Sequence, residues 1–161
     1  MLAAVVRVWV PEGDDDVMPR SLTDDEIGSL LTGDSLLRLA TIDSRGYPCV
    51  TPLWFVWDGE AIYATSKRTA PHLTRLAADP RAGLLIDREA HERLDGERPN
   101  RQYRAVADAE LSPDDAGTIT CEITRKYLRG PAEDAMTRRR ASHERMVIRL
   151  VPREVVAVAS V

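Results

Sequence analysis

Residues 37–65, LRLATIDSRGYPCVTPLWFVWDGEAIYAT, decide the fold. Leu37, Leu39 and Thr41 alternate with Leu36, Arg38 and Ala40, the two-residue period of a half-buried strand. Asp43-Ser-Arg-Gly46 is turn chemistry. Residues 49–57 (CVTPLWFVW) then read as one long apolar and aromatic strand that ends in Asp58-Gly59. Asp-Gly between two such runs favours a tight hairpin, because glycine takes a positive φ at no steric cost. Residues 61–65 are the return strand. The connections are too short for a parallel crossover, which needs a dozen or more residues, so the reading is an antiparallel meander.

On the N-terminal side, Thr23-Asp-Asp-Glu26 is a capping box. Ile27, Leu30 and Leu31 follow at helical spacing and Gly33 stops the run, which predicts a helix over 24–32. Residues 1–22 form an acidic lead whose apolar start, MLAAVVRVWV, is either a short strand packed on the body or a loose tail. It lacks the basic lead and cleavage site of a secretory signal. The run Asp14–Asp16 reads as a solvated loop, since the ligand spacing of a calcium loop is missing.

On the C-terminal side, Thr69 is a candidate N-cap and Pro71 fits a first helical turn. Leu73, Leu76 and Ala77 share one face before Pro80 ends the helix. A buried strand is expected over 82–86, a charged loop over 87–100 and a strand over 102–111. Ser112-Pro113 would open a helix to about 129, stopped by Gly130-Pro131. A polar helix over 132–142 and strands over 146–151 and 154–160 complete the chain. The expected fold class is mostly β with peripheral helices, a six-stranded antiparallel barrel over residues 23–161.

The chain has 161 residues and a net charge of −4. That length suits a single domain. Residues 1–35 carry eight acids against Arg7 and Arg20, so the body behind them is mildly basic. This suits an anionic small ligand rather than nucleic acid, which calls for a concentrated basic face. Arg138, Arg139 and Arg140 form the one basic run, and the acids around them suggest a solvated helix face. No apolar run reaches the roughly 20 residues of a membrane span. Two cysteines 72 positions apart make neither a disulfide framework nor a CxxC site, and a cytoplasmic location is the expectation.

Motifs for nucleotide loops, serine hydrolases and zinc proteases are absent. His72, His91 and His143 lack metal-ligand spacing, so no metal is expected. Cys49 and Cys121 read as packing residues. The informative segment is Thr65-Ser-Lys-Arg-Thr69, two cations flanked by hydroxyls where a strand meets a helix start. Free N–H groups there favour an anion, and Lys67 and Arg68 add full charges. The segment has the makings of a phosphate cradle; the plainer reading is a cationic surface turn. Trp54 falls on one strand face and Phe55 and Trp57 on the other, either as core or as one wall of an aromatic pocket.

Residues 39–87, LATIDSRGYPCVTPLWFVWDGEAIYATSKRTAPHLTRLAADPRAGLLID, resemble the pyridoxamine-phosphate-oxidase-like flavin-binding split barrels. Residues 101–111 (RQYRAVADAEL) and 148–152 (IRLVP) extend the resemblance to about residues 25–160. It implies a split barrel of the FMN-binding type and a homodimer with FMN, or a deazaflavin, at the subunit interface. It places Pro52, Leu53 and Trp54 beside the flavin ring and Thr65, Ser66, Lys67, Arg68 and Thr69 near the ribityl phosphate. Gln102 would reach the cofactor of the opposite subunit, with Arg104 as a second candidate. One departure stands out. Where the family often has Ser-Arg-Lys inside the helix, this chain has Ala70-Pro71-His72, so His72 takes the lysine's place.

The resemblance implies an FMN-dependent oxidoreductase moving a hydride to or from a small molecule. A deazaflavin reductase is the first alternative, with Arg68, Arg75 and Arg101 as cations for a longer acidic tail. A non-catalytic flavin-storing protein is the second. Vitamin B6 oxidation is not expected, because Arg149-Leu-Val-Pro152 is followed by another strand rather than the chain end. His72 and Tyr63 are the candidate proton donors, and no catalytic residue is assigned. Neither nucleic acid nor a membrane is an expected partner.

Overall fold

A computed structural model describes residues 20–89, 100–141 and 144–160. The elements run β1 Arg20–Ser21, α1 Asp24–Thr32, β2 Leu37–Ile42, β3 Pro48–Leu53, β4 Phe55–Trp57, β5 Ile62–Lys67 and α2 Pro71–Ala78. They continue with β6 Arg81–Glu89, β7 Asn100–Pro113, α3 Thr118–Tyr127, α4 Pro131–Ala141, β8 Arg145–Leu150 and β9 Arg153–Ser160. Most of residues 1–22, the Asp14–Asp16 run, the centre of the 87–100 loop, His91 and His143 lie outside the described residues.

Every strand pairing is antiparallel, in the order β3-β2-β6-β7-β8-β5-β4, with β9 joining β7 to β1. The barrel is split rather than closed, and β7 makes the split. Its first half pairs with β6 and β9, its last five residues with β8. Fourteen residues can serve two sheets because the side-chain alternation continues through the crossing, with Tyr103, Ala105 and Ala107 buried before it and Ala109 and Leu111 packed against the core beyond it.

The antiparallel barrel with peripheral helices is as expected, and the described strands number nine rather than six. The largest correction falls on residues 49–57, which are not one strand. β3 ends at Leu53 and β4 begins at Phe55 in the other sheet, so Trp54 is the joint. Pro48 and Pro52 explain the choice: without N–H groups they are tolerated in β3 because it is a sheet edge. The strand expected to stop at 111 runs to Pro113, and the helix expected from 112 begins only at Thr118. β6 extends to Glu89, into the expected loop. Part of the acidic lead, Arg20–Ser21, is a strand on β9.

The core is mostly aliphatic, with Phe55 and Tyr103 as its buried rings, and Leu37, Leu39, Phe55, Ile62, Ile86, Ile148 and Leu150 are fully buried. α1 has the predicted bounds and capping box, with Thr23 N–H donating to Glu26 Oε2 (3.0 Å) and Glu26 N–H to Thr23 Oγ1 (3.3 Å). It buries Ile27, Leu30 and Leu31. α2 starts one residue later than Thr69 allows: its N-cap is Ala70, which makes no side-chain cap, and Pro71 fills the first turn. α3 lays Thr120, Ile123 and Thr124 inward, and α4 packs on α3.

Candidate functional site

Where β3 gives way to β4, the chain turns past the end of β5, and α4 closes the opposite side. A cavity of about 590 Å³ results. It lies within the roughly 300–1,000 Å³ of small-molecule sites. Pro52, Leu53 and Trp54 form one wall, and the end of β5 (Ser66 and Lys67), the turn after it (Thr69 and Ala70) and the first residue of α2 (Pro71) form a second. Thr65, Met136, Arg140 and Arg145 form the third side.

Trp54 is held flat. Its ring stacks on Tyr127 at 4.9 Å between centroids and 4° between planes, and the Arg140 guanidinium lies 5.2 Å from it. Tyr127 is itself anchored, its hydroxyl donating to the Ser35 carbonyl (2.6 Å) and accepting from Phe55 N–H (3.4 Å). Lys126 sits 3.5 Å over the Phe55 ring and donates to the Leu31 carbonyl (2.9 Å). Burial pushes its ammonium down to about 8.

Of the predicted phosphate residues, Ser66, Lys67 and Thr69 line the turn, with Lys67 and Thr69 exposed and Ser66 buried. Arg68 lies beside the turn, where its exposed side chain pairs with Glu144 at 3.5 Å. His72 lies beneath the wall, its Nε2 2.7 Å from Ser66 Oγ. Burial, then the Arg75 charge, lowers its pKa and favours the neutral ring. His72 therefore orients a hydroxyl and brings no cation to the cavity.

Thr65 is on the wall, but its hydroxyl is committed to other side chains. Thr120 Oγ1 lies 2.6 Å from Asp114 Oδ2 and 3.1 Å from Thr65 Oγ1. A hydroxyl has one proton, and the carboxylate is the stronger acceptor, so Thr120 donates to Asp114 and Thr65 donates to Thr120. Thr65 Oγ1 is then an acceptor for Arg145 (Nε 3.3 Å, terminal N–H 3.2 Å) and, at the distance limit, Arg140 (3.5 Å). Arg145 also donates to the Thr65 carbonyl (2.7 Å) and Arg140 to Thr124 Oγ1 (3.3 Å). Burial lowers both guanidinium pKa values, and Arg140 helps bring Arg145 down to about 10. Both stay charged near neutrality.

Arg140 corrects the reading of the 138–140 run as a solvated face: Arg138 and Arg139 are exposed, while Arg140 turns into the cavity. Sequence reasoning missed Arg145 altogether. Its signal was available only in the pairing of β8 with β5, which sets Arg145 opposite Lys67. Arg75 donates to Thr41 (2.7 Å) and Arg101 pairs with Glu26 (3.2 Å), so neither is a cavity cation. Tyr63 accepts from Arg149 (3.4 Å) and is not part of the lining.

Gln102 and Arg104 are not in the lining either; they belong to the outer face of the β3-β2-β6-β7 sheet. That face carries a row of small apolar residues, Val50, Ala40, Gly83 and Val106, in register across four strands. Val50 is 62% exposed and Val106 43%. Among the described residues there is no cluster of metal ligands, and no helix is long and apolar enough to cross a membrane. Cys49 and Cys121 are half-buried free thiols.

Comparison with solved structures finds the same fold repeatedly. A conserved hypothetical protein of Mycobacterium tuberculosis, Rv2991, superposes with a TM-score of 0.69 at 22% identity, over 92% of this chain and 90% of that one. An F420 reductase does so with a TM-score of 0.57 at 23% identity, over 77% and 90%. An FAD-binding protein of Mesorhizobium loti gives 0.62 at 19% identity, over 89% and 99%. Among curated proteins none matches. The family model described as pyridoxamine 5'-phosphate oxidase matches residues 23–159, nearly the whole described chain, and this protein belongs to that family.

Proposed function

We propose that the chain is a flavin-dependent oxidoreductase that holds FMN in the cavity between Trp54 and the β5–α2 turn. The observation that carries this reading is the meeting, in one cavity, of the planar Trp54 wall with the hydroxyls and cation of residues 66–69. A flat aromatic ligand with a phosphate tail matches both walls. Bound flavin would supply hydride chemistry. The chain's own contributions are phosphate anchoring by Lys67, Ser66 and Thr69, ring orientation by Trp54, and partial exclusion of water by α4.

Family membership and the FAD-binding neighbour support a flavin. A deazaflavin is the second reading. The F420 reductase among the neighbours is named for one, and Arg140 and Arg145 are further cations for an acidic tail. We also propose a homodimer built on the outer sheet face. The in-register row of Val50, Ala40, Gly83 and Val106 supports it, and Gln102 and Arg104 on the same face would then reach the partner's cofactor. The continuation of the chain from Pro152 into β9, paired along β7, supports a substrate other than a B6 vitamer.

An absorption spectrum of the purified protein tests the cofactor, supported by equilibrium titration with FMN and with a deazaflavin. Lys67→Ala with Thr69→Val should weaken FMN binding at least tenfold. Equal FMN affinity in that variant, or tighter binding of the deazaflavin by the parent protein, would overturn the FMN assignment.

A further inference from the structure

We propose that α4 is a lid that the ligand's own phosphate closes, by bridging Arg140 on the helix to Lys67 and Arg145 on the barrel. This rests on the flavin reading above, with FMN as the ligand.

α4 differs from the other helices in what it buries. α1 buries Ile27, Leu30 and Leu31, α2 buries Leu73 and Leu76, and α3 buries Ile123. Of the α4 side chains described, residues 133–140, none is buried. Met136 is its one large apolar residue, and it lines the cavity. A helix of 11 residues is marginal alone, and packing of an apolar face normally supplies the missing stability. The ends of α4 are favourable. Glu133 and Asp134 in the first turn and Arg138, Arg139 and Arg140 in the last suit the helix dipole. Gly130, at φ 66°, turns the chain between α3 and α4. These features favour the helix itself and do nothing to dock it.

The polar contacts that dock α4 are long or exposed. Glu133 pairs with the exposed Arg125 at 3.5 Å. Arg140 reaches Thr124 at 3.3 Å and Thr65 at 3.5 Å, and its guanidinium lies 5.2 Å from the Trp54 ring. An exposed ion pair contributes little. A segment held in this way opens at a lower free-energy cost than the sheets beneath it.

The cations decide when it closes. Lys67 on β5 stands opposite Arg145 on β8, and both line the cavity with Arg140. The three are one cluster, two charges on the barrel and one on the helix. Arg140 and Arg145 repel each other, so the cluster by itself works against closure. A phosphate among them reverses the sign, because each cation is then drawn to the same anion. The charge that pushes α4 outward becomes the charge that holds it.

Hydrogen exchange on the full chain, read by mass spectrometry, tests the lid without turnover. In the unloaded chain, α4 amides should exchange about tenfold or more faster than those of α3. FMN should slow α4 by about tenfold or more and leave α3 within about twofold. Riboflavin, the same ring without the phosphate, should leave α4 fast even at saturation. Arg140→Met should abolish the protection of α4 by FMN and speed FMN release about tenfold, and Arg140→Lys should keep part of the protection. Ala135→Pro breaks the helix at an exposed position. It should speed FMN release likewise, with a urea midpoint within about 0.2 M of the parent. Unloaded α4 amides as slow as those of α3, equal protection by riboflavin, or a larger fall in the Ala135→Pro midpoint would overturn the lid. FMN bound with no change in α4 would also overturn it and leave the flavin reading intact. If FMN does not bind the parent protein, the flavin reading fails and inorganic phosphate becomes the probe. Saturable protection of α4 that is lost in Arg140→Met then supports the lid, and its absence refutes it.

Discussion

Replacing Thr65 by valine removes one oxygen at nearly constant volume and breaks the hydrogen-bond chain at its centre. Arg145 would lose two long contacts to Oγ1, at 3.2 and 3.3 Å, but keep its 2.7 Å bond to the Thr65 carbonyl. Arg140 would lose a contact already at 3.5 Å and keep Thr124. Thr120 would lose a donor and keep Asp114. A hydrogen bond to a charged group is worth about 1.5–3 kcal/mol. The arginines are half-exposed and their shortest bond survives, so the expected loss is about 1–2 kcal/mol. Urea denaturation measures it: with a slope of about 2 kcal/mol per molar, the midpoint should fall by about 0.5–1 M at unchanged slope. Thr65→Ser restores the hydroxyl and should recover most of the loss. A valine variant within about 0.3 kcal/mol of the parent, or a serine variant as unstable as valine, would refute the assigned role of the Thr65 hydroxyl.

Stability should depend on alkaline pH in two opposed stages. The Lys126 ammonium is held at about 8 by burial, below its ordinary 10.5, so its penalty is complete below pH 8 and is relieved as pH rises toward 10.5. Tyr103 and Tyr127 are raised to about 12 by burial, so stability falls above pH 10, where only the unfolded chain ionises. Chemical denaturation from pH 7 to 11 should show the rise and then the fall, and Lys126→Met should flatten the rise. In acid, Glu26 is held at about 2 chiefly by its hydrogen bond from Arg20 and then by Thr23 N–H. Its contribution is present above pH 4.5 and disappears as pH falls toward 2, and Glu26→Gln should remove that acid dependence. Thr23→Ala removes half of the capping box and should cost about 1 kcal/mol in urea denaturation. Val50→Asp should drive the protein toward monomer in analytical ultracentrifugation, and an unchanged association state would exclude the outer sheet face as the dimer contact.

The sequence by itself determined local structure wherever a short-range rule was decisive. Thr23 and Glu26 set the start of α1, because both halves of a capping box lie within one turn. Asp58-Gly59 set the β4–β5 hairpin: Gly59 takes φ 104°, and Asp58 accepts from Glu60 and Ala61 N–H at 2.8 Å. The turn at residues 65–69 was legible as a candidate cradle from its cations and hydroxyls, whereas the wall at 52–54 was marked by the family resemblance. Periodicity could not show that Trp54 divides two sheets, since alternation continues across the break and only pairing with β2 on one side and β5 on the other reveals it. Nor could it show Arg140 and Arg145, which stand 75 and 80 positions from Thr65 in the chain. Bringing both to one oxygen requires β8 to pair with β5 and α4 to fold onto α3. Tertiary packing alone decides that, because a guanidinium carries the same charge on a solvated face as in a cavity, and its surroundings determine what it binds.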